Sequence, residues 1–200
     1  MAAVRSHGAT SRRVPSVRDT ASMDTGYSPE GHRVVEAPTE CFVCRKHRGE
    51  IAEPGGAIYD DGLVRAGHLG PGLNGTPAYL GYLFVEPKRH APGLADLTDQ
   101  EAQALGLLLT RLSRALAASE GAEHVYAFVL GDDVPHLHVH LVPRYPGAPA
   151  EFRGMRVTAW PGAPRGGHHE IAAMCKRLRV QVAEEPQHVR GTDHGHPSGG

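Results

Sequence analysis

The sequence predicts an α+β domain built on an antiparallel β-sheet of about five strands, with one long helix and one C-terminal helix. Three observations carry this. Short apolar runs are separated by turn residues, one long stretch has helical periodicity, and a further pair of strand-like runs follows it.

Taken in order, residues 1–36 are polar, with scattered Ser, Arg, Gly and Pro and no sustained period, and read as a disordered leader. Ala57–Tyr59 and Leu63–Ala66 flank the turn signal Asp60-Asp61-Gly62 and predict a hairpin. Ala78–Glu86 reads as a strand ended by Pro87. Thr98–Glu120 is the long helix: Thr98 and Glu101 have capping-box spacing, Leu105, Leu108, Leu109, Leu112 and Leu116 recur at helical spacing, and Gly121 stops it. His124–Leu130 and Pro135–Val142 then read as an antiparallel pair joined through Gly131-Asp132-Asp133. A final helix covers His169–Ala183, with Ile171, Met174, Cys175 and Leu178 on one face, so Cys175 is expected in the core. Residues 184–200 resemble the leader and read as a disordered tail. His7, His32, His194 and His196 are solvated residues of these two ends.

Composition narrows the function. A chain of 200 residues suits one domain, spanning 37–183 here. A formal net charge of −1 does not provide the basic field that a nucleic-acid polymer or an anionic membrane surface requires. The longest apolar runs, such as Leu105–Leu109, fall far short of the ~20 residues that cross a bilayer. No secretory signal is visible in Met1–Pro15, and three cysteines without a disulfide framework point to a reducing, cytoplasmic setting and to a metal.

The chemistry concentrates in Pro135-His136-Leu137-His138-Val139-His140-Leu141-Val142. Strand side chains alternate faces, so His136, His138 and His140 project together while Leu137, Val139 and Leu141 enter the core. Such a row suits two chemistries. The imidazoles can converge on a metal ion. Alternatively, one ring, neutral near its usual pKa of ~6.5, attacks phosphorus while its neighbours orient it and stabilise phosphoryl oxygens.

The segment His136–Val142 resembles the signature of the histidine-triad (HIT) family, in which three histidines alternate with apolar residues. Pro143-Arg144 is similar to the dinucleoside-polyphosphate hydrolase branch. Cys41-Phe42-Val43-Cys44 resembles the family's N-terminal Cys pair, Val85-Glu86-Pro87-Lys88-Arg89-His90 its strand-ending Pro-Lys-x-His, and Leu94-Ala95-Asp96-Leu97-Thr98 its lead into the helix. The likeness covers residues 40–145 and implies a HIT-like fold. It implies that His138 is the nucleophile forming a nucleotidyl-histidine intermediate, with His140 beside it bonding the phosphoryl or leaving group. His136 counts both in the catalytic row and in a structural zinc site with Cys41, Cys44 and His90. The spacing Cys41-x-x-Cys44 suits a zinc knuckle, and two histidines complete a tetrahedral set. His47 competes as a ligand, but a residue within the knuckle is poorly placed to face the triad strand, so His90 is favoured. The resemblance also implies a homodimer through the long helix and an edge strand and a nucleotide-like small-molecule partner, while the charge and the short apolar runs predict no membrane partner.

Other polar residues carry lesser expectations. Asp96, Asp99 and Glu101 suit the positive end of the helix. Arg144 either neutralises substrate phosphate or is a solvated strand-end arginine. Trp160 either stacks on a base from a neighbouring subunit or packs. The chain departs from the family where an acid for the ribose hydroxyls is usual, since Gly62–Val85 holds no Asp or Glu and has instead the Gly-rich run His68–Gly75. Asp132 and Asp133 stand just before the triad and join the substrate-binding candidates, where they repel a polyanion unless they face away, bind a cation or contact a basic portion.

The leading expectation is thus a hydrolase of nucleoside phosphoramidates or dinucleoside polyphosphates. A nucleotidylyltransferase is close kin, although that branch usually has Gln where His140 stands. A non-catalytic nucleotide-binding module and a metalloenzyme with its metal on the triad are the alternatives.

Overall fold

The computed structural model describes residues 41–184. The expected leader (1–36) and tail lie outside the described residues, except that the final helix continues through Glu184.

Helix α1 (Phe42–His47) comes first, and Cys41 is its N-cap residue. Strands β1 (Tyr59–Asp60) and β2 (Val64–His68) form the expected hairpin, with Tyr59 opposite Ala66. Its turn is set by Asp61, whose Oδ1 accepts from the backbone N–H groups of Leu63 and Val64, each at 2.7 Å.

The single strand expected over Ala78–Glu86 is two: β3 (Ala78–Tyr79) and β4 (Leu83–Pro87). Gly81 separates them at φ 81°, where a Cβ would stand 2.7 Å from both Pro143 Cγ and the Tyr145 hydroxyl. Only glycine fits that turn.

Helix α2 (Asp99–Glu120) has the expected capping box. The Glu101 N–H donates to Thr98 Oγ1 at 3.2 Å, and the Thr98 N–H donates to Glu101 Oε2 at 2.9 Å. Leu105, Leu108, Leu112 and Leu116 are buried against the sheet, while Leu109 is partly buried. Burying each such leucine contributes roughly 1.5–3 kcal/mol, which outweighs differences in helix propensity and fixes the helix by packing.

Strands β5 (His124–Val129) and β6 (Val139–Arg144) complete a five-stranded sheet of order β1-β2-β4-β6-β5, every neighbouring pair antiparallel. The triad strand begins later than expected, because the Leu137 N–H is drawn to the Ala91 carbonyl (2.7 Å) instead of a strand partner. Beyond β6, two 3-10 turns (Ala150–Phe152 and Gly154–Ala159) lead to β7 (Arg165–Gly166), which pairs with β3. Helix α3 (His168–Glu184) buries Ile171, Met174, Cys175 and Leu178 as expected.

The two sheet faces have different fates. One carries Val64, Ala66, Leu83, Val85, Leu137, Val139 and Leu141 into the main core with α2 and α3. The other faces a smaller cluster of Tyr79, Val142, Tyr145, Val157 and Ala163, against which half-buried Trp160 packs, in line with the packing alternative for that residue. The histidine row lies off the main core, on this second side.

Candidate functional site

At the N-terminal end of the domain, Cys41, Cys44, His90 and His136 converge, all buried, with one ligand atom from each lying within 4.8 Å of every other. Helix α1 sets the two cysteines. Its N-cap position presents Cys41, and the first turn returns Cys44 to the same side. Cys44 Sγ lies 3.5 Å from His90 Nδ1 and 3.4 Å from His136 Nδ1, Cys41 Sγ lies 3.6 Å from His136 Nδ1, and the two Nδ1 atoms are 3.3 Å apart. A tetrahedral ion with metal–sulfur bonds near 2.3 Å and metal–nitrogen bonds near 2.0–2.1 Å places its ligand atoms ~3.3–3.8 Å from one another. The four residues fit a metal ion.

Their surroundings suit a metal at His136 and keep the proton on Cys44. His136 Nε2–H donates to the Pro87 carbonyl at 3.0 Å, which leaves the Nδ1 lone pair facing the cluster. Burial lowers His136 to about 4, keeping it neutral. Burial, together with a bond from Cys41, pushes the Cys44 thiol up to about 11, so a bound cation would have to displace its proton. His47 stays outside the set and bonds Glu86 through Nε2 at 3.0 Å.

Two residues along the chain, His138 Nδ1 lies 2.7 Å from the carbonyl oxygen of His136. Nδ1–H therefore donates, and Nε2 keeps the lone pair. His138 lines a cleft whose other walls are Phe42, Val43, Lys46, Phe84, Glu86 and Val134. The His138 and His140 rings are 4.8 Å apart, and Phe84 packs edge-on against them at 5.7 and 5.1 Å. β4 supplies this floor because Phe84 sits directly opposite His140 in the ladder. Tyr82, one pleat earlier, places its hydroxyl 2.7 Å from His140 Nδ1. Burial and the neighbouring His138 lower the pKa of His140.

Beneath the cleft runs a buried charge network. Lys46 Nζ bonds Glu86 Oε1 at 2.6 Å and lies 3.4 Å from Glu53, and Arg65 pairs with Glu53. Burial alone would raise the Glu86 carboxyl, but His47 and Lys46 hold it below its ordinary range. A Cβ on Gly67 would stand 2.6 Å from Glu53 Oε1, so this glycine gives the carboxylate its place against β2. A second cleft, sharing Phe42, Lys46 and Phe84 with the first, is lined by Glu53, His68 and Gly70. The Gly-rich run there is anchored by His68. Its Nδ1 lies 2.6 Å from the Leu69 carbonyl, and its Nε2 accepts from the Gly81 N–H at 2.8 Å.

Comparison with known proteins matches residues 53–147 to the family model described as the HIT domain. Residues 53–147 thus form a HIT domain. A curated relative, the nitrilase and fragile histidine triad fusion protein NitFhit of Caenorhabditis elegans, is 32% identical over 80 residues. That stretch is 38% of this chain, and the chain spans only 18% of the relative's length. Among solved structures, a HIT-like protein from Bartonella henselae, described as involved in cell-cycle regulation, is similar with a TM-score of 0.57 at 18% identity, covering 72% of this chain and 98% of that one. A zinc-bound histidine triad family protein from Mycobacterium smegmatis is similar with a TM-score of 0.54 at 18% identity, covering 72% and 94%. At these identities the two structures share the fold.

Within this HIT domain the expected residues separate into three places. His138 lines the cleft and His140 packs beside it, while His136 turns to the cysteines and His90. Arg144 lies four residues beyond His140, ~13 Å along β6 at strand rise, and its guanidinium is 3.6 Å from Glu123. Asp132 and Asp133 are exposed on the loop before the triad. Asp96 caps the Gly93 N–H at 3.0 Å, and Glu101 serves the helix cap and Arg89, so both acids are accounted for structurally. Tyr82, Lys46, Glu53 and the Phe84–Glu86 pair escaped the sequence reading. A period-two reading of the strand before Pro87 places Tyr82, Phe84 and Glu86 on one face, which was the available signal.

Proposed function

We propose that this HIT-domain protein is a hydrolase that cleaves a nucleoside phosphoramidate or dinucleoside polyphosphate in two displacements at phosphorus. The observation that carries this reading is the 2.7 Å bond from His138 Nδ1–H to the His136 carbonyl, which presents the Nε2 lone pair to a cleft beside His140. In the first displacement Nε2 forms a bond to the substrate phosphorus. The bond from phosphorus to the leaving group breaks and that group takes the bonding pair, an amine also taking a proton from solvent; the water that enters in the second displacement returns a proton to solvent. In the second, water adds to phosphorus, the P–Nε2 bond breaks, and the nucleoside monophosphate leaves with His138 neutral again. Throughout, Nδ1–H stays on the His136 carbonyl and stabilises the ring while it carries positive charge. His140 hydrogen-bonds the phosphoryl or leaving group, and the walls around Phe42 and Phe84 exclude water and take an apolar part of the substrate.

The metal we assign to Cys41, Cys44, His90 and His136 is zinc, because two thiolates and two imidazoles in a closed tetrahedral set suit that ion. When bound, it supplies no reactive water and ties α1 to the segment that leads into β6. We also propose a homodimer, supported by the position of β5 at the sheet edge with Val129 exposed. The three cysteines are free, in keeping with a cytoplasmic setting, and among the described residues no helix is long and apolar enough to cross a membrane.

The test is hydrolysis of adenosine 5′-phosphoramidate and diadenosine tetraphosphate by the full, zinc-loaded chain. Turnover of either is expected. Tight nucleotide binding without turnover would contradict the reading in favour of a binding module.

A further inference from the structure

We infer that Tyr82 is a positioning residue for His140, donating its hydroxyl proton to Nδ1 and so holding the ring as the tautomer that carries its proton on Nε2. This rests on the proposed function for the use His140 makes of that proton, but not for the tautomer itself.

The hydroxyl lies 2.7 Å from His140 Nδ1, within strong hydrogen-bond range. Either oxygen or nitrogen can supply the shared proton. The surroundings decide it. Nδ1 is the partner that the Tyr82 hydroxyl has among the described residues, so a hydroxyl accepting from Nδ1–H would leave its own half-buried proton unused. Burial also raises the Tyr82 pKa, so the phenol keeps its proton to give.

If Nδ1 accepts, a neutral ring must be protonated at Nε2. That nitrogen is buried and has no hydrogen-bond partner in the described structure, on a residue that is only 9% exposed. A buried, unused donor is costly, and a catalytic role or a bound water or ligand accounts for one in a native fold. His138 and Phe84 pack against the same ring at 4.8 and 5.1 Å, and Tyr82 contacts it edge-on at 5.8 Å, so the imidazole has little freedom to turn. His138 and His140 therefore hold complementary tautomers. The first keeps a bare Nε2 to attack, and the second keeps its proton on Nε2.

The experiment is a long-range proton–nitrogen correlation spectrum of the full chain with isotope-labelled histidines, with the His140 signal assigned by its loss in His140→Gln. The wild type is expected to show His140 as a single Nε2–H tautomer, and Tyr82→Phe to show a mixture of tautomers or the Nδ1–H form. An Nδ1–H tautomer in the wild type, or an unchanged ring in a folded Tyr82→Phe, would overturn the inference. In turnover, Tyr82→Phe should lower kcat by about tenfold with KM nearly unchanged, the loss of one oriented hydrogen bond. A wild type that shows the Nε2–H tautomer yet turns nothing over would contradict the hydrolase reading and leave the tautomer assignment standing.

Discussion

His138 Nδ1 sits 2.7 Å from the backbone oxygen of His136, whose side chain converges with Cys41, Cys44 and His90 in a set that fits a metal ion. Two positions thus separate the proposed structural centre from the imidazole proposed to react, and the carbonyl that orients His138 is only as fixed as the residue bearing it. Stripping the metal with a strong chelator is therefore expected to lower both the melting temperature and kcat, the latter by about 10–100-fold, as for groups that orient a site from behind. Added zinc should restore both, measured by thermal melts and initial rates on the same samples.

Metal content separates the two roles of the histidine row. Cys41→Ser should lose the bound metal, whereas His138→Ala should keep one ion per chain and lose turnover by more than about 10³-fold. Elemental analysis of purified variants checks this. Metal lost with His138→Ala would instead place the ion on the triad.

Lys46 lies between Glu86 and Glu53, with side chains 6%, 2% and 8% exposed respectively. Lys46→Met leaves two buried carboxylates short of a cation and should cost about 3–5 kcal/mol in chemical denaturation. Adding Glu86→Gln to that variant should recover part of the loss.

His68 provides a pH-dependent contribution whose sign is fixed by its surroundings. Burial lowers its pKa below 6.5, against the opposing effect of the Leu69 carbonyl. The unfolded chain therefore binds a proton first as pH falls, so stability is fully present above about 6.5 and declines as pH drops from there toward the folded-state value. Denaturation midpoints at pH 8 and pH 5 should fall less for His68→Gln than for the wild type.

Much of the site was legible because it is local. Period-two alternation separated Leu137, Val139 and Leu141 from the histidines, and the buried leucines confirm that division. The capping box of α2 and the pairing of β5 with β6 follow from neighbouring residues in the same way. What sequence missed depends on distant partners. Gly81 breaks the strand before β4 because Pro143 and Tyr145 crowd it from more than 60 positions away. The Lys46–Glu86 pair spans 40 positions and the Tyr82–His140 bond 58, separations at which no spacing rule operates. The helix that starts after Cys41 and carries Cys44 was not foreseen, since Phe42–His47 is only six residues long.

The most direct measurement is the intact mass of the protein quenched in alkaline denaturant within its first turnover of adenosine 5′-phosphoramidate, followed by peptide mapping. A nucleotidyl group attached to His138 in the wild type, and absent in His138→Ala, is the predicted result. Turnover that proceeds with no adduct on His138, or with one that persists in His138→Ala, would contradict the account.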